Sequence, residues 1–406
     1  MNFLETHDLV ISTLSPVHIG CGEDYEPTNY VIDGNTLYAF DPARLLAELL
    51  TEQLDELLRA LDDRDPVRAA QRFFYRHRQI AMQIADFCVP VSEEIAQFYA
   101  SRVGQVANRE GDGKSVINKL EIARTAFDPI SGLPILPGSS LKGAMRTAVL
   151  ESLRAQSEKS YPISDQEVRN WKTVNEKARD MERDLLGGSF NTDPFRLVKV
   201  SDAHFVTGSY KLKNAQGKVI ERERLPRDIF FQVNRKKRPN KHESCGNIET
   251  LVECVPALQP RAFAAQLTIE RKAKQGEATP SLQMDFATLA QACNAFYLAH
   301  FERELKILQD NRYVSESWVR GARARLQPDG IWGKAISEGR GFLLRVGRHS
   351  GAESVTIDAP RKIKIMKGKG QQATWEKEAT TLWLAASNRN PTSGMCPFGW
   401  VFVQKR

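Results

Sequence analysis

An α+β fold of two split-βαβ, ferredoxin-like domains carrying helical insertions is what this sequence predicts. Three observations lead there. Short runs with strand-like alternation precede and follow the segments with helical period. The apolar fraction of 41%, with 19 Phe, 9 Tyr and 6 Trp, belongs to a chain that buries a core. At roughly 100–200 residues per domain, a chain of 406 residues exceeds one ordinary core. We expect an N-terminal domain over 1–205, with insertions at about 42–100 and 158–187, and a C-terminal domain over 206–406 with a basic hairpin and a glycine-rich loop.

In chain order, "DLVISTLSPVHIG" (8–20) reads as an opening strand broken at Pro16 and followed by the loop "HIGCGED". "YVIDGNTLYAF" (30–40) reads as two short strands around Asp33, Gly34 and Asn35. Leucines at helical spacing predict a helix from Pro42 to Leu61, and 67–87 continues as a second. The polar, glycine-containing segment 104–118 reads as a mobile loop. In "ILPGSSLKGAMR" (135–146), Pro137 and Gly138 end what precedes, Ser139 or Ser140 caps a new helix, Leu141, Met145 and Val149 face the core, and Gly143 permits close packing. The first turn is charged the wrong way. A helix N-terminus already carries partial positive charge, yet Lys142 sits there with Arg146 four residues on, so the stripe calls for an anion.

Beyond it, 158–187 is densely charged and helical, an exposed insertion stopped by Gly187 and Gly188. "FRLVKVSDAHF" (195–205) is a strand returning to the first sheet. The second half alternates again, with strands at 229–234, 248–256 and 262–270, a helix over 284–308, a glycine-rich passage at 339–351, and strands at 382–386 and 398–404.

The formal charge of +7 is concentrated in 211–241, which holds Arg235, Lys236, Lys237 and Arg238, and in 360–370, which holds Arg361, Lys362, Lys364, Lys367 and Lys369. Two such runs beside a cationic helix start point to a polyanionic partner. No apolar run approaches the ~20 residues of a membrane span, and "MNFLETHDLV" lacks the basic-then-apolar pattern of a secretion signal, so a soluble cytoplasmic protein without a membrane partner is expected. The cysteines at 21, 88, 245, 254, 293 and 396 form no C-x-x-C pair, and the seven histidines show no ligand spacing, so we expect neither a metal nor a cofactor. Neither a dinucleotide fingerprint nor a P-loop is present. In "EGRGFLLRVGRHSGAES" (338–354), Arg345, Arg348 and His349 accompany four glycines, a combination suited to a nucleic-acid backbone.

"SPVHIGCGEDYEPTNYVID" together with "LPGSSLKGAMR" and the late glycine-rich loop resembles the RAMP superfamily of CRISPR proteins. Within it, "YEPTNYVIDGNTLYAFD", the length and the closing "GMCPFGWVFV" are similar to the Csm-complex subunit that caps the 3′ end of the guide RNA in type III-A effectors. The resemblance is carried by motifs in both halves and leaves 42–130 and 155–190 unmatched. It implies RNA-recognition-type domains, a guide RNA (crRNA) partner with target RNA nearby, sibling RAMP subunits in a filament that this subunit terminates, and a part in guide maturation and antiviral defence.

On this reading a phosphate meets Lys142 and Arg146 at the helix start. The RNA-binding set is then His18, Gly20, Gly22, Ser139, Ser140, Lys142, Arg146, Arg235, Lys236, Lys237, Arg238, Arg345, Arg348 and His349. The block 235–238 is placed on a protruding hairpin near RNA, with Phe230 and Phe231 as candidates for base stacking. Relatives cleave RNA with a loop aspartate or an N-terminal histidine. Here His18 has no second proton-transfer group at a fixed spacing, and Asp33 has a turn-forming reason to precede Gly34. A non-catalytic binder is therefore expected. The alternatives are an endoribonuclease acting through Asp33 or His18, and an adaptor recruiting a host nuclease through 158–187.

Overall fold

The computed structural model describes residues 3–406 apart from 64, 110–114, 118–119, 189, 214–217, 240–249, 272–279, 281, 359–360 and 368–370. Runs of strands are followed by runs of helices, as the mixed α+β expectation requires.

The strand Leu4–Thr13 is the centre of the larger sheet. It pairs antiparallel with Phe263–Glu270 on one side, placing Ile11 opposite Phe263, and with Trp400–Lys405 on the other, placing Thr13 opposite Val401. Outside Phe263–Glu270 lie Val198–Val200 and Ala203–Phe205, with Ile135–Leu136 at that edge, while Gly341–Arg345 lies outside Trp400–Lys405. Numbered along the chain, the inner strands stand in the order fourth, first, third, second. A helix follows the first (Gly138–Gln156) and the third (Phe286–Asp310), and the two pack on each other. Both sheet neighbours of Leu4–Thr13 come from beyond residue 206, so the sheet is shared across the 205/206 boundary rather than confined to either side.

Periodicity explains this packing. Leu141, Met145, Ala148 and Val149 recur at three- and four-residue steps and are buried, as are Leu289, Cys293, Tyr297, Phe301, Leu305 and Leu308 on the longer helix. The longer helix begins where the Asp285 side chain accepts the Thr288 N–H at 2.7 Å. Under the sheet, Trp332 lies flat on Phe402 with ring centroids 4.8 Å apart.

A second sheet runs Gly20–Tyr25, Ile122–Thr125, Thr250–Cys254, Asp228–Lys236, Thr381–Ala386, Cys396–Pro397, with the 122–125 and 250–254 strands parallel. The expected strand at 248–256 is described from Thr250, and Cys245 and Lys369 lie outside the described residues.

Several expectations need correction. The helix expected over 42–61 is two, Pro42–Glu48 and Thr51–Leu61. Leu49 turns extended, and the Gln53 side chain accepts the Leu50 N–H at 2.8 Å, restarting the helix inside the leucine run. The segment 67–87 divides likewise into Pro66–Arg76 and Arg78–Gln83. It leads to a strand, Phe87–Pro90, that completes a three-stranded sheet with Tyr30–Asp33 and Thr36–Ala39. Part of the expected loop at 104–118 is a strand pair, Val106–Arg109 with Ser115–Ile117. The charged insertion is a packed layer as well as a surface: its helix, Trp171–Leu185, starts on an Asn170 cap and sends Met181, with Leu186 just beyond, into the main core. Gly187 follows at φ +74°, the left-handed stop expected there.

Candidate nucleic-acid interface

The helix Gly138–Gln156 begins against the sheet. A Cβ on Gly138 would overlap the Val200 carbonyl oxygen, so only glycine lets the helix start this close to the strand. The cap is neither expected serine. Pro137 occupies the N-cap position without a side-chain bond, and the Gly138 N–H donates to Asp202 Oδ1 at 2.7 Å. Ser139 and Ser140 stand inside the first turn.

Those serines, Gly143 and Thr147 form one wall of a groove of about 480 Å³. Ile19 and Gly20 after the first strand, and Arg345, Gly347 and Arg348 of the glycine-rich loop, form the other. Three segments that the sequence singled out separately thus meet at one opening. The join is made by backbone. Gly347 sits at φ +85°, where an added Cβ would overlap the His18 carbonyl oxygen, and that same oxygen accepts the Arg348 N–H at 2.9 Å. Gly399 at φ +85° comes equally close to the Val346 carbonyl. On the floor, the Tyr297 hydroxyl lies 3.1 Å from the Ala144 carbonyl and 3.2 Å from that of Ser354, tying both long helices to the loop.

Individual expected residues fare differently. Arg348 is exposed at the rim and forms no ion pair with a described residue, which leaves its guanidinium available to an anion. Gly20 packs under the Arg348 side chain. Gly22, at φ +84°, sits inside the strand Gly20–Tyr25 where its pairing with Ile122–Thr125 shifts register, and stands outside the groove. Gly143 is not a close-packing residue: an added Cβ would meet nothing within 4 Å, because its surroundings are the open groove.

Lys142 and Arg146 lie on the other flank of the helix. Arg146 is forked between Asp193 (2.7 Å) and Glu182 (2.9 Å), which hold its pKa above the ordinary value against the opposing effect of burial. Lys142 is half-buried, with its pKa lowered by burial and then by Lys199. Asp193 and Glu182 of the chain itself are therefore the anions beside Arg146, while Asp202 serves the N–H at the positive helix end.

Arg345 is likewise internal. It is 6% exposed, pairs with Glu304 at 2.7 Å, donates Nε–H to the Phe398 carbonyl at 3.0 Å, and lies over the Trp400 ring. It lines the groove from within the core. His18 is fully buried, with Nδ1 donating to the Glu253 carbonyl at 2.8 Å and Nε2 unpartnered among the described residues. Its ring stacks on His349 at 6.1 Å, and burial lowers its pKa. Burial, His18 and Arg348 push His349 down to about 4. A ring with no exposed surface is a scaffold for the loop, and it does not reach an RNA phosphate.

The hairpin expected around the basic block lies, over residues 240–249, outside the described residues. Arg235 and Lys236 end the strand Asp228–Lys236, an inner strand of the second sheet. Arg235 donates to the carbonyls of Asn234 and Pro391, and Lys237 pairs with Glu353 at 2.6 Å. Arg238 is exposed in the following bend. Phe231 is buried edge-on against Phe98, which removes it from base stacking, and Phe230 packs beside a small cluster of Val252, Cys254 and Phe398. Asp33 closes its turn with Gly34 at φ +56° and accepts Arg78 Nε–H at 2.7 Å. Among the described residues no three His, Cys, Asp or Glu side chains converge as a metal set. No described helix is long and apolar enough to cross a membrane.

Sequence reasoning missed Tyr297, Asp202 and the His18–Gly347 backbone contact. Tyr297 reads as one more apolar position of a long helix, and Asp202 lies 64 residues from the N–H it caps. Neither carries a local signal.

Residues 10–251 match the family model described as the RAMP superfamily. The chain is similar to proteins named CRISPR system Cms protein Csm5. That of Streptococcus thermophilus is 26% identical over 152 residues, which is 37% of this chain and 40% of that protein. That of Methanocaldococcus jannaschii is 22% identical over 213 residues, 51% and 44% of the two, and that of Mycobacterium tuberculosis 24% over 218 residues, 50% and 55%. The matches span about half the length of these curated relatives. Among solved structures, a chain of a Csm-crRNA-target RNA ternary complex of a type III-A CRISPR-Cas system superposes with a TM-score of 0.55 at 17% identity, covering 98% of this chain and all of that one. The crystal structure of T.onnurineus Csm5 gives 0.54 at 18% identity, covering 97% and 99%. At these identities the likeness is one of fold.

Proposed function

The chain belongs to the RAMP superfamily, and from that premise we propose that it is a guide-RNA-binding subunit of a type III-A CRISPR effector complex. It holds the 3′ portion of the guide by its phosphates, ends the run of sibling RAMP subunits, and takes part in guide maturation and antiviral defence without cutting RNA itself. We read the larger sheet as a ferredoxin-like unit, a reading supported by its strand order and by the helix after its first and third strands. The second sheet is proposed as the other RNA-recognition-type unit. The neighbour solved with crRNA and target RNA supports the choice of ligand, as do the names of the relatives.

The observation that carries this reading is the groove. Its walls are a helix N-terminus with exposed Ser139, a stretch of backbone without bulky side chains at Gly20, Gly143 and Gly347, and the guanidinium of Arg348, which forms no ion pair among the described residues. Backbone access and a positive rim suit a sugar-phosphate chain, which positions RNA without reading its bases. That is what a complex needs when base pairing supplies specificity. An Asp33-dependent nuclease lacks such support, because Arg78 already holds the carboxylate.

The test is fluorescence anisotropy of labelled single-stranded RNA across about 50 to 200 mM salt, where each neutralised phosphate contributes roughly 0.7 to the log–log slope. Gly143→Glu, which fills the groove with a carboxylate, abolishes binding. Arg348→Ala weakens binding and makes the slope shallower by about 0.7. Lys142→Ala/Arg146→Ala leaves the slope unchanged. Wild-type affinity in both Gly143→Glu and Arg348→Ala would move RNA to another surface.

A further inference from the structure

We propose that the helix Thr51–Leu61 is a docking face for a basic amphipathic helix of a partner protein. The segment 41–66 holds eight carboxylates and three arginines, a net charge of −5 inside a chain of +7. It is the electrical opposite of the groove. RNA is repelled by such a surface, so its ligand is not the polyanion that the rest of the molecule suits.

The helix also buries only one edge of its apolar stripe. At roughly 100° per residue, Leu50, Leu54, Leu57, Leu58 and Leu61 fall on a single face. Leu57, at 7% exposure, packs into the small core with Phe73 and Phe74, and Leu54 lies partly buried beside it. Leu58 at 60%, Leu50 at 69% and Leu61 at 49% remain in solvent. Leucines scattered singly on a surface need no explanation, but three on the same helical face do.

Charge complementarity selects the occupant. Asp55, three residues before Leu58, and Asp62, four residues after it, border the exposed leucines, and neither pairs with a cation among the described residues. The opposite flank differs: Glu56 is taken by Arg76 and His77. A helix that lays its own leucines on Leu50, Leu58 and Leu61 and carries Lys or Arg at its edges meets Asp55 and Asp62, and adds a third helix to the pair formed with Pro66–Arg76. An acidic or neutral partner leaves those carboxylates desolvated and unpaired.

The experiment uses the full chain and two synthetic amphipathic helices of roughly 20 residues, identical in their leucine stripe and differing in whether Lys and Arg or Glu flank it. By calorimetry the basic peptide binds and weakens with salt. The glutamate peptide does not bind. Leu58→Glu/Leu61→Glu, at positions already in water, keeps the wild-type circular dichroism and binds the basic peptide at least about tenfold more weakly. Hydrogen exchange slows over 50–61 when the peptide is present. Equal binding of both peptides, or binding that survives the double substitution, overturns the proposal. So does self-association of the wild-type chain that the double substitution abolishes, which would make a second copy the occupant. None of these outcomes bears on the RNA groove.

Discussion

A methyl group added to Gly347 would press on the His18 carbonyl oxygen from a backbone at φ +85°, whereas one added to Gly143 would enter open space inside a helix. The same substitution therefore has opposite signs at the two positions. Gly347→Ala costs about 1–3 kcal/mol, through contact and left-handed strain, and Gly143→Ala gains about 0.5–1 kcal/mol by raising helix propensity. Urea midpoints for the two variants check this, and a common sign would contradict the loop geometry. Histidine titration belongs to the same scale. Burial, followed by Arg303, pushes His300 down to about 4, and His349 is held down similarly. Unfolded, each takes up its proton near pH 6.5. The unfolded state thus binds more protons between pH 6.5 and 4, so this contribution is fully present above 6.5 and lost as pH falls toward 4. Asp228 acts in the other direction, its carboxyl raised to about 7 by burial, so the comparison must be with a variant. His300→Gln is expected to lose less stability than wild type between pH 7 and 5. Parallel curves would show that His300 does not titrate in this way.

At the scale of elements, the helix Gly138–Gln156 shows what local sequence can and cannot reveal. Its start at Pro137–Gly138, its buried face and its unusual cations were legible, because punctuation and period are properties of neighbouring residues. Its cap was not. Ser139 and Ser140 are residues of the preferred type in the expected place, but the bond to the Gly138 N–H comes from Asp202, on the turn after Val198–Val200. Asp202→Ala is expected to destabilise by about 0.5–2 kcal/mol and to leave the salt slope of RNA binding unchanged, whereas Ser139→Ala has little effect on stability. Arg146 carries the same lesson. A cation at a positive helix end implied an external anion only while Asp193 and Glu182 were out of view. Glycines in the 339–351 loop were better witnesses, because positive φ and close backbone approach are requirements that glycine meets and other residues rarely do.

At the scale of the whole molecule, strand pairing crosses the 205/206 boundary. Alternation of strand and helix was visible in sequence, but pairing was not, since nothing in "DLVISTLSPV" announces that its partners begin at Phe263 and Trp400. The larger sheet needs residues from both sides of the boundary, as does the second, where Ile122–Thr125 lies beside Thr250–Cys254. Expressed separately, residues 1–205 retain the strand Leu4–Thr13 with both of its long neighbours removed, and residues 206–406 retain Phe263–Glu270 and Trp400–Lys405 with the central strand missing. Each piece then exposes apolar faces that Leu9, Ile11, Phe263 and Val401 bury together in the intact chain. Neither fragment is expected to unfold cooperatively in urea, and co-expression of the two is expected to restore a single transition. A cooperative transition in 1–205 alone would mean that the N-terminal half carries its own core, with the cross-boundary pairing as a later docking step.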